Sequence, residues 1–200
     1  ESNKTYRLMD NFVVWRPKVK GKSVYYPYFY HGELMKNPNM WASGFLKYNT
    51  ENYKVSEKLV SVGEQSNEME IYWIGRKIHF IVRRDVWYGK PLIQSPCVQN
   101  INGTNYVAYR EFSYLGNIKS KIDAENAINS GNINVRVICG KVSSNNRIYE
   151  KCVLFKSTKK SGSDSGYPGI AEGLNKDEIF VSYYGGSTKK ANIYLSLIHI

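Results

Sequence analysis

Glu68 and Arg83 are the pair in this chain whose types and spacing most directly suggest chemistry. They bracket the stretch Glu68–Asp85, in which two β-rich runs flank Gly75-Arg76. That pattern predicts a strand, a tight turn and a second strand. Ile78, Phe80 and Val82 alternate with His79, Ile81 and Arg83, the period-two pattern of a strand with two different faces. Glu68 lies near the start of the first strand and Arg83 near the end of the second, so a hairpin brings both to one rim. A carboxylate and a guanidinium presented there make a binding site, a catalytic pair or a rim ion pair, and the stretch alone leaves all three open.

Other reactive side chains are sparse. The 3 cysteines are Cys97, Cys139 and Cys152, an odd number that cannot pair fully within the chain. Cys139 and Cys152 are expected to face each other across a hairpin turning at Ser143–Asn146. One disulfide is open to them, and buried thiols are the alternative. His31, His79 and His199 are scattered without metal-ligand spacing, so neither a metal site nor a cofactor is expected. His79, among apolar neighbours, reads as structural. Gly185-Gly186-Ser187 reads as a turn, because no strand-to-helix junction follows it. Asn3-Lys4-Thr5 and Asn102-Gly103-Thr104 match the glycosylation acceptor pattern.

Composition bounds the scaffold that must position these groups. With 200 residues, 42% hydrophobic and 14% aromatic, the chain can bury a sizeable core. It holds 17 tyrosines, many in strand-like runs. A tyrosine ring joins an apolar face to a polar tip and suits sugar binding, and it is also a good strand former. The formal charge of +11 attracts anions in general. Its denser clusters, Lys18–Lys22, Lys156–Lys160 and Lys189–Lys190, fall in loop-like sequence. No zinc-finger spacing, RNA-binding signature or basic helix is present, which argues against specific nucleic-acid binding. No run approaches the roughly 18 apolar residues of a membrane span.

Strands are expected almost throughout, at Phe12–Trp15, Val24–Tyr30, Gly44–Tyr48, Tyr53–Val62, Met69–Ile74 and Lys77–Arg84. They continue at Pro91–Gln94, Cys97–Ile101, Asn105–Phe112, Asn132–Lys141 and Ile148–Ser157, and at Gly169–Glu172, Glu178–Tyr184 and Ala191–Ile198. One short helix is expected at Lys121–Asn129, with Ile122, Ala124, Ala127 and Ile128 on one face. Ser161–Gly166 reads as a flexible Gly/Ser loop. Short apolar strands followed by Gly or Asn and a β-branched or aromatic strand recur, with second strands near Tyr28, Phe80, Val107 and Val181. Their mean spacing of about 50 residues is in the range of four-stranded propeller blades. The expected fold is therefore all-β, built of antiparallel propeller blades, with a β-sandwich as the alternative.

The second half of the chain, roughly Gln65–Ile200, resembles the C-terminal blades of the sialidase-like β-propeller family. Glu68 to Arg83 is similar to a family run of Glu, apolar strand, Gly turn, apolar strand and Arg, with a turn about two residues shorter. Ser95-Pro96-Cys97-Val98 through Gly103 to Tyr109 resembles a second family stretch. Ser165–Ile170 and Phe180–Tyr184 resemble the closing blade. The resemblance implies a tyrosine nucleophile with a glutamate that takes its proton, here Tyr167 and Glu68. A neutral phenol activated by a base suits a substrate that carries its own carboxylate. Arg83 is implied to be one of three arginines gripping that carboxylate. The family's third arginine falls where this chain has Ser130 or Gly131, which leaves Arg110 and Arg136 as substitutes. The Asp-box turn is absent, and Trp15-Arg16-Pro17 is only faintly similar to the family's Arg-x-Pro start.

Two functions follow as expectations. One is an exo-glycosidase of sialidase-like type, or a fragment of one, with a carbohydrate substrate. The other is a non-catalytic glycan-binding or adhesion domain. Residues 1–200 are expected to form a single propeller-like domain, the C-terminal part of a larger propeller, associating with further blades or chains. An extracellular or periplasmic location goes with either reading.

Overall fold

A computed structural model describes residues 12–30, 41–62, 66–84, 92–157, 163–187 and 190–200. Strand accounts for 73% of these residues and helix for 5%, and the sheets are antiparallel with none closed into a barrel. The all-β expectation holds, and this layering is shared by propeller blades and sandwiches. The chain divides into two compact units, Glu1–Met69 and Glu70–Ile200.

In the first unit, β1 (Phe12–Val14), β3 (Ser23–Tyr30), β4 (Ala42–Asn49) and β5 (Val55–Val62) form a sheet in that order, and β2 (Lys18–Lys20) also pairs with β3. Lys18–Lys20 of the basic cluster Lys18–Lys22 is thus strand rather than loop, because Gly21 at φ +56 allows β2 to turn back onto β3. Tyr28 lies opposite Gly44, and its hydroxyl donates to Glu57. Burial first, and then Glu57, hold the Tyr28 proton on well above the ordinary phenol range. A Cβ at position 44 would stand 2.7 Å from the Tyr28 hydroxyl and 2.6 Å from the Lys58 carbonyl, so the close approach requires glycine. The aromatic residues of this sheet pack on one another, with Tyr25 and Phe45 ring centroids 5.8 Å apart.

β6 (Ser66–Ile74) runs across the division between the units and pairs with β7 (Lys77–Arg84) around Gly75 at φ +59. Tyr72 stacks on His79 at 5.4 Å, as a two-residue turn at Gly75-Arg76 requires, so His79 is structural. β8 (Leu92–Ile101), β9 (Thr104–Tyr114), β10 (Ile133–Val142) and β11 (Ile148–Ser157) form a four-stranded sheet in the order β11-β10-β9-β8. β12 (Ser163–Glu172), β13 (Glu178–Ser187) and β14 (Lys190–His199) form a three-stranded sheet. Among the described residues, the sheets have five, two, four and three strands.

Alternation along β8 to β11 explains the layering. One face carries Tyr106, Ala108, Val137 and Cys139, which pack against Ile179, Val181 and Tyr183 of β13. The other face carries Val98, Val107, Tyr109 and Ile138, which pack with Tyr72, Ile74 and Ile81 of β6 and β7. The four-stranded sheet is therefore the middle layer of the second unit. Asn102-Gly103 makes the β8–β9 turn, both residues at positive φ, and the Asn102 amide donates to the Lys176 carbonyl. This hairpin chemistry accounts for one of the two acceptor-like motifs; Asn3 lies outside the described residues.

The helix α1 spans Lys121–Asn129, as expected. The Ser120 hydroxyl accepts from the Asp123 amide, and Asp123 accepts from the Ser120 and Lys119 amides, a reciprocal N-cap. Ala124 and Ala127 are buried, whereas Ile122 is 68% exposed and so is not part of that buried face. Two further expectations are corrected. The separate strands Pro91–Gln94 and Cys97–Ile101 are one strand, β8, bent by a register shift between Gln94 and Cys97. Ser163–Gly166 is strand rather than flexible loop, because β13 and its partner registers from Ser187 to Tyr184 supply its ladder bonds; residues 161–162 lie outside the described residues. Among the described residues, no helix is long and apolar enough to cross a membrane.

Candidate functional site

Tyr167 sits in a bulge of β12, where the register with β13 shifts between Gly166 and Gly169. It adopts φ +44 immediately before Pro168, a sparsely populated backbone state that the surrounding structure must enforce. Arg110 of β9 provides part of that enforcement. Its Nη1 donates to the Ser165 carbonyl at 3.2 Å. Its stem fills the space beside Gly166, where a Cβ would lie 3.3 Å from the Arg110 Cδ. Gly166 itself is at φ +149, so the position requires glycine for both reasons. The bulge turns the Tyr167 ring outward, 49% exposed, and stacks it on Tyr184 at 5.8 Å with 24° between planes.

Tyr183 points into the core, so Tyr184 lies on the outer face of the three-stranded sheet. Ile193 pairs with Tyr184, Leu195 with Ser182 and Leu197 with Phe180, and all three β14 side chains are exposed. Tyr167 and Tyr184 thus lead into a continuous apolar and aromatic surface. β8 repeats the same device: Ser95 at φ +48 precedes Pro96 inside a bulge, and β12 packs on β8 and β9.

The three arginines lie on different layers or faces of the second unit. Arg110 registers with Val137 on the face toward β13. Arg136 registers with Glu111 and forms an ion pair with it, and alternation puts that pair on the opposite face. Arg83 shares a face of β7 with Ile81, which packs against the Val98 and Val107 side of the middle layer. Two contacts fix the turn end of the β6–β7 hairpin. The Trp73 carbonyl accepts from Asn105, and the Tyr72 hydroxyl donates to Asn146, both at the turn end of the sheet. These contacts set the β6–β7 turn beside Asn105 of β9 and Asn146 of the β10–β11 turn. Arg110 and Arg136 therefore do not form one cluster.

Glu68 belongs to the first unit and is 3% exposed, with its amide donating to the Asn67 side chain at 2.9 Å. Sequence reasoning missed its neighbour Glu70, which is fully buried and accepts the Val98 amide on Oε1 at 3.2 Å. β8 is an edge of the four-stranded sheet, and Glu70 gives that edge an acceptor where a strand would otherwise be needed. A glutamate on a strand ordinarily marks the solvent face, so only the buried register could have found it. Replacing Glu70 with Ala should cost about 2 kcal/mol by leaving the Val98 amide without this acceptor. Glu70→Gln should cost much less, and urea titration of both variants checks the difference.

Compared with known families and curated proteins, the chain matches no family model and no curated protein.

Proposed function

We propose that this chain is a glycan-binding domain whose outward ring pair, Tyr167 on Tyr184, stacks against a sugar ring of an acidic glycan. The observation that carries the reading is the exposed, stacked Tyr167 held at positive φ beside Arg110. A rigid amphipathic ring offers a sugar apolar contact on its face and a hydrogen bond at its tip. The excess positive charge, with Arg110 beside the Tyr167 bulge, favours an anionic sugar over a neutral one. Hydrolysis of the sialidase-like type is the second reading. It is favoured by the same presentation of the Tyr167 hydroxyl.

One set of titrations separates these readings. Sialyllactose should bind the wild-type chain, lactose should bind more weakly, and added salt should reduce the difference. Tyr167→Ala should abolish binding, while Tyr167→Phe should keep it because the ring remains. Turnover of a fluorogenic sialoside by wild type that is lost in Tyr167→Phe would establish the hydrolase reading. Unchanged sialyllactose affinity in Tyr167→Ala would overturn the proposed site.

A further inference from the structure

The three cysteines fall on one rung of the middle sheet. Cys97 of β8 registers with Ala108 of β9, Ala108 with Cys139 of β10, and Cys139 with Cys152 of β11. Directly paired residues of antiparallel strands have Cα atoms about 4.5–5.5 Å apart, within the about 4.4–6.8 Å that a disulfide spans. Cys97 is two strands from Cys139, about 9–10 Å away at the usual strand spacing, which is beyond that reach. Cys139 is buried and Cys152 half-buried. Both line a pocket of about 240 Å³ with Tyr106, Lys141, Glu150 and His199.

We propose that Cys139 and Cys152 form a redox-closing cross-strand pair, oxidised by thiol–disulfide exchange with a small-molecule disulfide that enters through this pocket. The half-buried Cys152 reacts first. Its thiolate attacks one sulfur of the small disulfide, forms a mixed disulfide and releases one small thiol. Cys139 then loses its proton to solvent, attacks the Cys152 sulfur and expels the second small thiol. The protein dithiol is oxidised by two electrons, and the small disulfide is reduced to two thiols. Burial, and then the neighbouring Cys152, push the Cys139 thiol up to about 12, so the second step is the slow one. Closure ties β11, an edge strand, to β10.

The test is to incubate the folded chain with glutathione disulfide and map linkages by non-reducing proteolysis and mass spectrometry. The expected result is a Cys139–Cys152 linkage, preceded by a glutathione adduct on Cys152, with a melting temperature raised by about 5 °C or more. Cys97→Ser should close as wild type does, and Cys152→Ser should form no linkage. A persistent Cys152 adduct without closure would overturn the proposal, as would a linkage through Cys97 or no reaction in the folded chain.

Discussion

Replacing Ile179 with Ala should destabilise the second unit by about 2–5 kcal/mol, the range for deleting a large aliphatic side chain from a close-packed site. Ile179 is fully buried, and it shares one cluster with Tyr106, Ala108, Val137 and Cys139 of the middle sheet. It therefore joins two layers, and neither backbone ladder can close over the space it leaves. Leu195→Ala on the outer face of the neighbouring strand is the control. That side chain is exposed, and its loss should change stability by less than about 0.5 kcal/mol. Chemical denaturation of both variants measures the contrast. Equal effects would mean that the two sheets do not pack through Ile179.

Arg136→Met should cost about 3 kcal/mol, because it leaves the Glu111 carboxylate in a buried position without its ion-pair partner. The double variant Arg136→Met with Glu111→Leu should recover most of that loss, since removing both charges leaves neither uncompensated. This cycle separates two roles for Arg136. A strut between β9 and β10 predicts the recovery. An arginine that serves only to grip a glycan predicts little change in stability in either variant and a loss of sialyllactose affinity in both.

Local chemistry made much of the fold legible. The turn at Gly75-Arg76 was readable from alternating residues on either side of a glycine, and the structure places it there. The α1 bounds were readable from the helical spacing alone, and Ser120 and Asp123 cap the start. The facing of Cys139 and Cys152 was readable from the Ser143–Asn146 turn, whose Asn146 amide donates to the Ser143 carbonyl. Where two strands met at a proline, the sequence misled, because Pro96 sits in a bulge that keeps β8 continuous. Ser163–Gly166 looked like linker because small polar residues have low strand propensity, and it is tertiary pairing with β13 that makes it strand.

The candidate site was legible in its residue types more than in its arrangement. Tyr167 and Arg110 are far apart in sequence, and no local pattern links them. Their association depends on β12 packing across β9, with Gly166 leaving room for the arginine stem. Arg110 and Arg136 looked equivalent as substitute arginines, yet register puts them on opposite faces. In sequence Tyr184 reads as part of a closing-blade strand, and Ile193, Leu195 and Leu197 as strand residues, with no surface role for any of them. The face they share with Tyr167 follows from strand order, which the sequence does not state.

The most direct test of the Tyr167 rim as a glycan site is an NMR titration of tyrosine-labelled chain with sialyllactose. The account predicts that the largest shifts fall on the Tyr167 and Tyr184 ring signals and that they saturate together. Tyr53, an exposed tyrosine of the first unit, should stay unmoved. Shifts confined to tyrosines of the first unit, or none at any tyrosine while the chain remains folded, would contradict it.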